Sequence, residues 1–128
     1  MLSFSQAIRL IRADVVEHPR KAVKVLSYRV VEGSAIDTSS FANSWTPNIG
    51  EMKADNVDVT GGNISPVLGR ISAVCQHIEP GNVYTMGNGQ PYGPRLEFEA
   101  HSPQTPNGTL RIAAAEWRQI NREVAGGR

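Results

Sequence analysis

A few residues of this 128-residue chain have types and spacings suited to chemistry. Cys75 and His77 offer a thiol and an imidazole, the pair that nucleophilic catalysis uses. On a helix, however, positions i and i+2 do not face each other. Cys75 also falls on an apolar stripe, so it reads as a small buried hydrophobe. His18, His77 and His101 lack the i, i+4 partners of a zinc-protease pattern. His18, just ahead of Pro19, reads as a solvated helix residue, and His101 as an interface contact beside a loop; a three-ligand site assembled from the histidines by folding stays open. Glu97 and Glu99 share one face of a predicted strand and are the acid–base candidates. A solvated or subunit-facing strand edge explains them equally well. The glycines of Gly87-Asn88-Gly89-Gln90-Pro91-Tyr92-Gly93 look like a phosphate cradle, but Pro91, Tyr92 and Pro94 prevent the helix N-terminus that such a cradle needs. Arg20, Lys21 and Lys24 form a basic helix face that could touch nucleic acid. No aromatic residues interleave with them for base stacking, and a solvated or interface face fits better. No catalytic residue, cofactor or metal-ligand set is assigned.

The elements that would carry these residues follow from periodicity and punctuation. Ser3 or Ser5 caps a first helix, with Ile8, Ile11 and Val15 on one face and Val23, Leu26 and Val30 continuing the stripe. Pro19 must kink that helix or restart it, and Glu32-Gly33 stops it. Asp37 or Thr38 caps a single helical turn over Ser39 to Ala42. Asn43 to Ile49 reads as extended around Trp45, and Val57-Asp58-Val59 as a weak strand before a Gly61-Gly62 turn. Ser65-Pro66 opens a second helix with Leu68, Ile71, Cys75 and Ile78 on its apolar face, ended by Pro80-Gly81. Val83 to Met86 is a short strand, 87–94 a turn-dense loop, and Leu96 to Glu99 alternates again. A last helix runs from about Thr109 to Val124, with Leu110, Ala113, Ala114, Trp117, Ile120 and Val124 on one face. The expected fold class is α+β in one domain over residues 1–128: a long N-terminal helix, kinked or restarted, a small mainly antiparallel sheet, a mid-chain helix and a C-terminal helix, with 125–128 frayed.

Composition narrows the classes. With 40% apolar residues the chain can build a core. One cysteine excludes an intramolecular disulfide framework and a cysteine-based zinc cage. No apolar run approaches the ~20 residues of a membrane span, and the N-terminus lacks an export leader, so a soluble protein of a reducing compartment is expected. Net charge is +1, too small for bulk phosphate binding. That sum hides segments of +3 over residues 1–32, −3 over 33–64, −1 over 65–100 and +2 over 101–128. Opposite-sign segments suit a head-to-tail contact between copies.

Four stretches in register say more than any catalytic pattern. They are Ala35-Ile36-Asp37-Thr38-Ser39-Ser40-Phe41-Ala42-Asn43-Ser44-Trp45, then Asn88 to Gly93 with Pro91-Tyr92, then Arg95-Leu96-Glu97-Phe98, and then Ser102 to Arg111 with Gln104, Pro106 and Gly108. Together they resemble the neck proteins of tailed bacteriophages, the small tail-completion or head–tail joining family. The family's proline is Ala35 here, its DTG glycine is Ser39, and its glycine after the aromatic is Glu99. The resemblance implies a non-enzymatic structural subunit of the virion neck, assembled in the host cytoplasm. It implies a homo-oligomeric ring, a hexamer or a dodecamer, that completes the tail end and joins it to the head connector. Partners would be head connector or adaptor proteins and the tail tube or tail terminator, with non-specific contact to genomic DNA in the channel and no membrane. Asp37, Thr38, Trp45, Pro91, Tyr92, Arg95, Leu96, Glu97, Gln104, Pro106 and Gly108 are the candidate interface residues on this reading. The alternatives are a head-completion adaptor or tail terminator ring, a carboxylate-dependent hydrolase using Glu97 and Glu99, and a nucleic-acid-binding module.

Overall fold

A computed structural model describes residues 3–34, 40–54, 63–89 and 115–126. The class is α+β: a long N-terminal helical stretch, further helices, and a two-stranded antiparallel sheet. Helix α1 (Phe4–Arg12) begins where the Ser3 hydroxyl accepts from the Gln6 backbone N–H and the Gln6 side chain accepts from the Ser3 N–H. This reciprocal bonding satisfies two of the donors a helix start leaves open. A π-helical turn (Ala13–Glu17) then leads into α2 (His18–Glu32), and Glu17 keeps helical angles (φ −74, ψ −41). Pro19 has no N–H for the Val15 carbonyl four residues back, and its ring crowds that carbonyl. Widening the turn upstream accommodates both effects without breaking the helix. The proline therefore neither ends the helix nor separates two of them.

Helix α2 ends at Glu32 as expected, but Gly33 stays right-handed (φ −82) while its N–H bonds the Arg29 carbonyl. The short helix α3 (Ser40–Asn43) leads through Ser44 into strand β1 (Trp45–Ile49). Helix α4 (Ser65–Cys75) starts at Ser65-Pro66, yet Ser65 does not cap it. The Asn63 side-chain oxygen accepts from the Ser65 N–H instead, at 3.0 Å. The apolar face also differs from the expected one. Val67, Ile71, Cys75 and Ile78 are buried, while Leu68 is half-buried at the margin. Positions i, i+4 and i+8 run along one line of a helix, and that line meets α2.

The helix closes at Cys75, short of Pro80-Gly81, through tight turns that carry Ile78 into the core. Pro80 and Gly81 instead form the Glu79–Asn82 turn, where Gly81 takes φ +88 and Asn82 bonds Glu79 twice. That positive φ suits glycine at the third position of a type II turn. Strand β2 (Tyr84–Asn88) starts one residue later than expected and runs two further, because it pairs along the full length of β1. The register sets Trp45 opposite Asn88 and Ile49 opposite Tyr84. Pro47 is tolerated because a two-stranded sheet leaves each strand an edge that need not donate. Gly87 is required: a Cβ there would collide with the Lys53 carbonyl.

Helix α5 (Trp117–Gly126) reaches two residues past the expected end, so Ala125 and Gly126 are helical. Its Ile120 is fully buried, whereas Trp117 remains partly exposed. Helix α2 lies at the centre, packed against α4 and α5, and α4 packs against β1. The core gathers Val30, Val31, Phe41, Ala42, Trp45, Val67, Ile71, Cys75 and Ile78. The weak strand at Val57–Val59 and the alternation at Leu96–Glu99 lie outside the described residues.

Candidate functional site

Of the residues named by the resemblance, Trp45 is described, and it is only 4% exposed. Its indole N–H donates to Ser34 Oγ at 2.9 Å, and the Ser34 hydroxyl donates to the Val30 carbonyl at 2.7 Å. Phe41 packs edge-on to it, with ring centroids 5.6 Å apart and an interplanar angle of 66°. Trp45 thus anchors strand β1 to the end of α2, and presents no contact surface. Asp37, Thr38, Pro91, Tyr92, Arg95, Leu96, Glu97, Gln104, Pro106 and Gly108 lie outside the described residues, as do Glu99 and His101.

Cys75 is buried, while His77 is exposed beyond the end of α4, so the two do not form a nucleophile pair. Burial raises the thiol pKa above its ordinary value, with a hydrogen bond from Tyr84 and the nearby Lys24 charge opposing the rise. Tyr84 is raised as well, again chiefly by burial. Its hydroxyl lies 2.9 Å from Ser27 Oγ, which is 2.8 Å from the Val23 carbonyl. Through these bonds Tyr84 links β2 to α2. Such a link holds elements in register and does not activate a nucleophile, which needs a lowered pKa.

His18 corrects an expectation. It is half-buried and not solvated, with Nε2 2.7 Å from Asn121 Oδ1. Asn121 Nδ2 donates to the Trp117 carbonyl, which orients its oxygen toward the imidazole. Nδ1 of His18 is buried with no hydrogen-bond partner among the described residues. Nearby, Arg29 reaches both Glu116 and Glu123, the latter at 3.0 Å. The two acids are seven apart, Glu116 just ahead of α5 and Glu123 within it, a spacing legible in the sequence. Nothing local names the arginine, 87 residues away, that they hold. Among the described residues no group of three or more His, Cys, Asp or Glu is placed to hold a metal, and no helix is long and apolar enough to cross a membrane.

Two surfaces remain with unspent potential. The first is α1, whose substantial contacts among the described elements are with the π turn that follows it. Phe4 is 82% exposed, Leu10 54% and Ile8 48%, with Val15 similar in the next turn. Arg9 and Arg12 flank them in the last turn of the same helix. The second is a cleft of about 190 Å³ between α2 and α4, lined by Glu17, Arg20, Lys21, Lys24, Ser72, Cys75 and Gln76. Here the expected basic face divides. Arg20 turns inward, giving Nε to the Ile78 carbonyl and Nη2 to Glu79, both at 2.8 Å. Lys21 and Lys24 take part in none of the ion pairs among the described residues. Chemically, the described arrangement offers apolar and cationic contact surface. Comparison with protein-family models, with characterised proteins and with solved structures finds no match to this chain.

Proposed function

We propose that this chain is a structural subunit of the neck of a tailed-phage virion, assembling as a ring of six or twelve copies that completes the tail end and joins it to the head connector. The observation that carries the proposal is the apolar surface of α1. Phe4, Ile8 and Leu10 of α1 stand exposed, as does Val15 in the π-helical turn, and among the described elements the substantial contacts of α1 are with that turn. Exposed apolar residues gathered along one helical stretch are a feature of association surfaces. The charge division supports the same reading: a copy's basic first segment (+3 over 1–32) has a complement in its neighbour's −3 over 33–64. Four sequence stretches that resemble the neck family supply the biological setting, and the virion neck is the corresponding location.

The reading is tested with the purified full chain by native mass spectrometry and negative-stain electron microscopy. A closed ring of six or twelve copies is expected. Phe4→Ser combined with Ile8→Ser removes two side chains whose burial contributes about 3 kcal/mol or more, so association should weaken by at least about a hundredfold while circular dichroism stays unchanged. A monomer at every concentration and ionic strength refutes the ring. Labelled protein in virions should sit at the head–tail junction, and its absence from virions refutes the location. Mutant lysates that accumulate tail-less heads with complete free tails would move the protein to the head-completion layer.

A further inference from the structure

We infer that the cleft between α2 and α4 is a binding site for a single phosphate group, held by Lys21 and Lys24 on one wall and by Ser72 and Gln76 on the other. This goes beyond ring assembly and does not depend on it. The lysines are three apart and the Ser72–Gln76 pair four apart, so each pair lies on one face of its helix. Neither lysine has a carboxylate within ion-pair distance among the described residues, whereas Arg20 and Arg29 are both engaged. The Ser72 hydroxyl and the Gln76 amide likewise make no intramolecular side-chain hydrogen bond among the described residues. The cleft therefore brings together two unspent positive charges, a hydroxyl and an amide N–H, around a space of about 190 Å³.

The donor set suits phosphate. Lysine ammonium groups bind it as point charges, without the planar two-pronged match that an arginine makes to either a carboxylate or a phosphate. The one arginine of the lining, Arg20, already has Nε and Nη2 committed to the Ile78 carbonyl and Glu79. The Cys75 thiol at the cleft stays neutral at physiological pH, because burial raises its pKa, and so does not repel an anion. Glu17 also lines the cleft and limits the positive excess there. One phosphate suits such a site better than a polyphosphate chain. The phosphate can be free or part of a nucleic-acid backbone.

Equilibrium dialysis of the full-length protein against labelled inorganic phosphate at low ionic strength tests the site. Saturable binding of one phosphate per chain is expected. Lys21→Gln with Lys24→Gln should weaken it at least about tenfold, and Ser72→Ala, which leaves every charge in place, by about threefold. Arg118→Gln with Arg122→Gln, on exposed positions of α5, removes the same charge outside the cleft and should leave affinity within about twofold. No saturable binding by the wild type overturns the proposal, as does equal weakening by the two double variants. Circular dichroism confirms that each variant is folded before it is compared. A short DNA duplex in the same dialysis distinguishes the sources: competition with phosphate that is lost in the lysine variant assigns a nucleic-acid phosphate, and no competition assigns a free one.

Discussion

Replacing Trp45 by Phe separates a core anchor from an interface anchor. The indole is 4% exposed and donates at 2.9 Å to Ser34 Oγ, itself buried. Phe keeps a ring against Phe41 but loses that hydrogen bond, which contributes about 1 kcal/mol. The space vacated by the smaller ring costs roughly another 1–2 kcal/mol, as for other large-to-small changes in a core. The expected loss is about 2–3 kcal/mol, lowering Tm by roughly 6–15 °C in a domain of this size. Ser34→Ala leaves the indole N–H buried without an acceptor and should cost about 1–3 kcal/mol. Because both changes delete the same bond, the double variant should cost about 1 kcal/mol less than the sum. Urea denaturation followed by far-ultraviolet circular dichroism, at one fixed protein concentration, measures all three. A Trp45→Phe protein within about 0.5 kcal/mol of wild type that no longer assembles would refute the reasoning and make Trp45 a contact residue.

Two further outcomes follow from the interior. Arg29→Met removes the arginine shared by Glu116 and Glu123. With Arg29 31% exposed and the acids more so, the loss should be about 1 kcal/mol and shrink in high salt. Amide hydrogen exchange should accelerate in α5 and not in α4; unchanged α5 protection would contradict the clamp. Stability should also fall in alkali. Cys75 and Tyr84 have folded pKa values raised above their ordinary 9.0 and 10.0, so above those values the unfolded chain loses protons that the folded chain keeps. The contribution from Cys75 is whole below pH 9 and declines above it by up to about 1.4 kcal/mol per pH unit, with Tyr84 adding a similar slope above pH 10. Denaturation at stepped pH checks this, and Cys75→Ala should remove the first slope; an unchanged slope would assign it elsewhere.

Much of the backbone was legible because it follows from short windows of residue types. Pro19 announced a disturbed helix, Ser65-Pro66 a helix start and Gly33 a stop, and each stands where expected, whereas Pro80-Gly81 forms a turn beyond the helix it was expected to end. The burial of Cys75 also followed from its place on an apolar stripe. Details that depend on a neighbour were not legible. A stripe through Leu68 and one through Val67 look alike until α2 lies against α4. His18 appeared solvated until Asn121, 103 residues later, met its ring.

The candidate site divides in the same way. The sequence by itself determined the α+β class, the end of α2 at Glu32 and the start of α4 at Ser65, and the presence of an amphipathic, basic first helix. It also marked Arg20, Lys21 and Lys24 as one basic helix face. Only the tertiary structure decided that Arg20 is neutralised by Glu79 while those lysines line a cleft. It likewise turned Trp45 inward and left Phe4 and Ile8 outside. The physical reason is range. Backbone conformation is biased by sterics and hydrogen bonds within a few residues, whereas burial and charge pairing are set by whichever distant segment packs alongside.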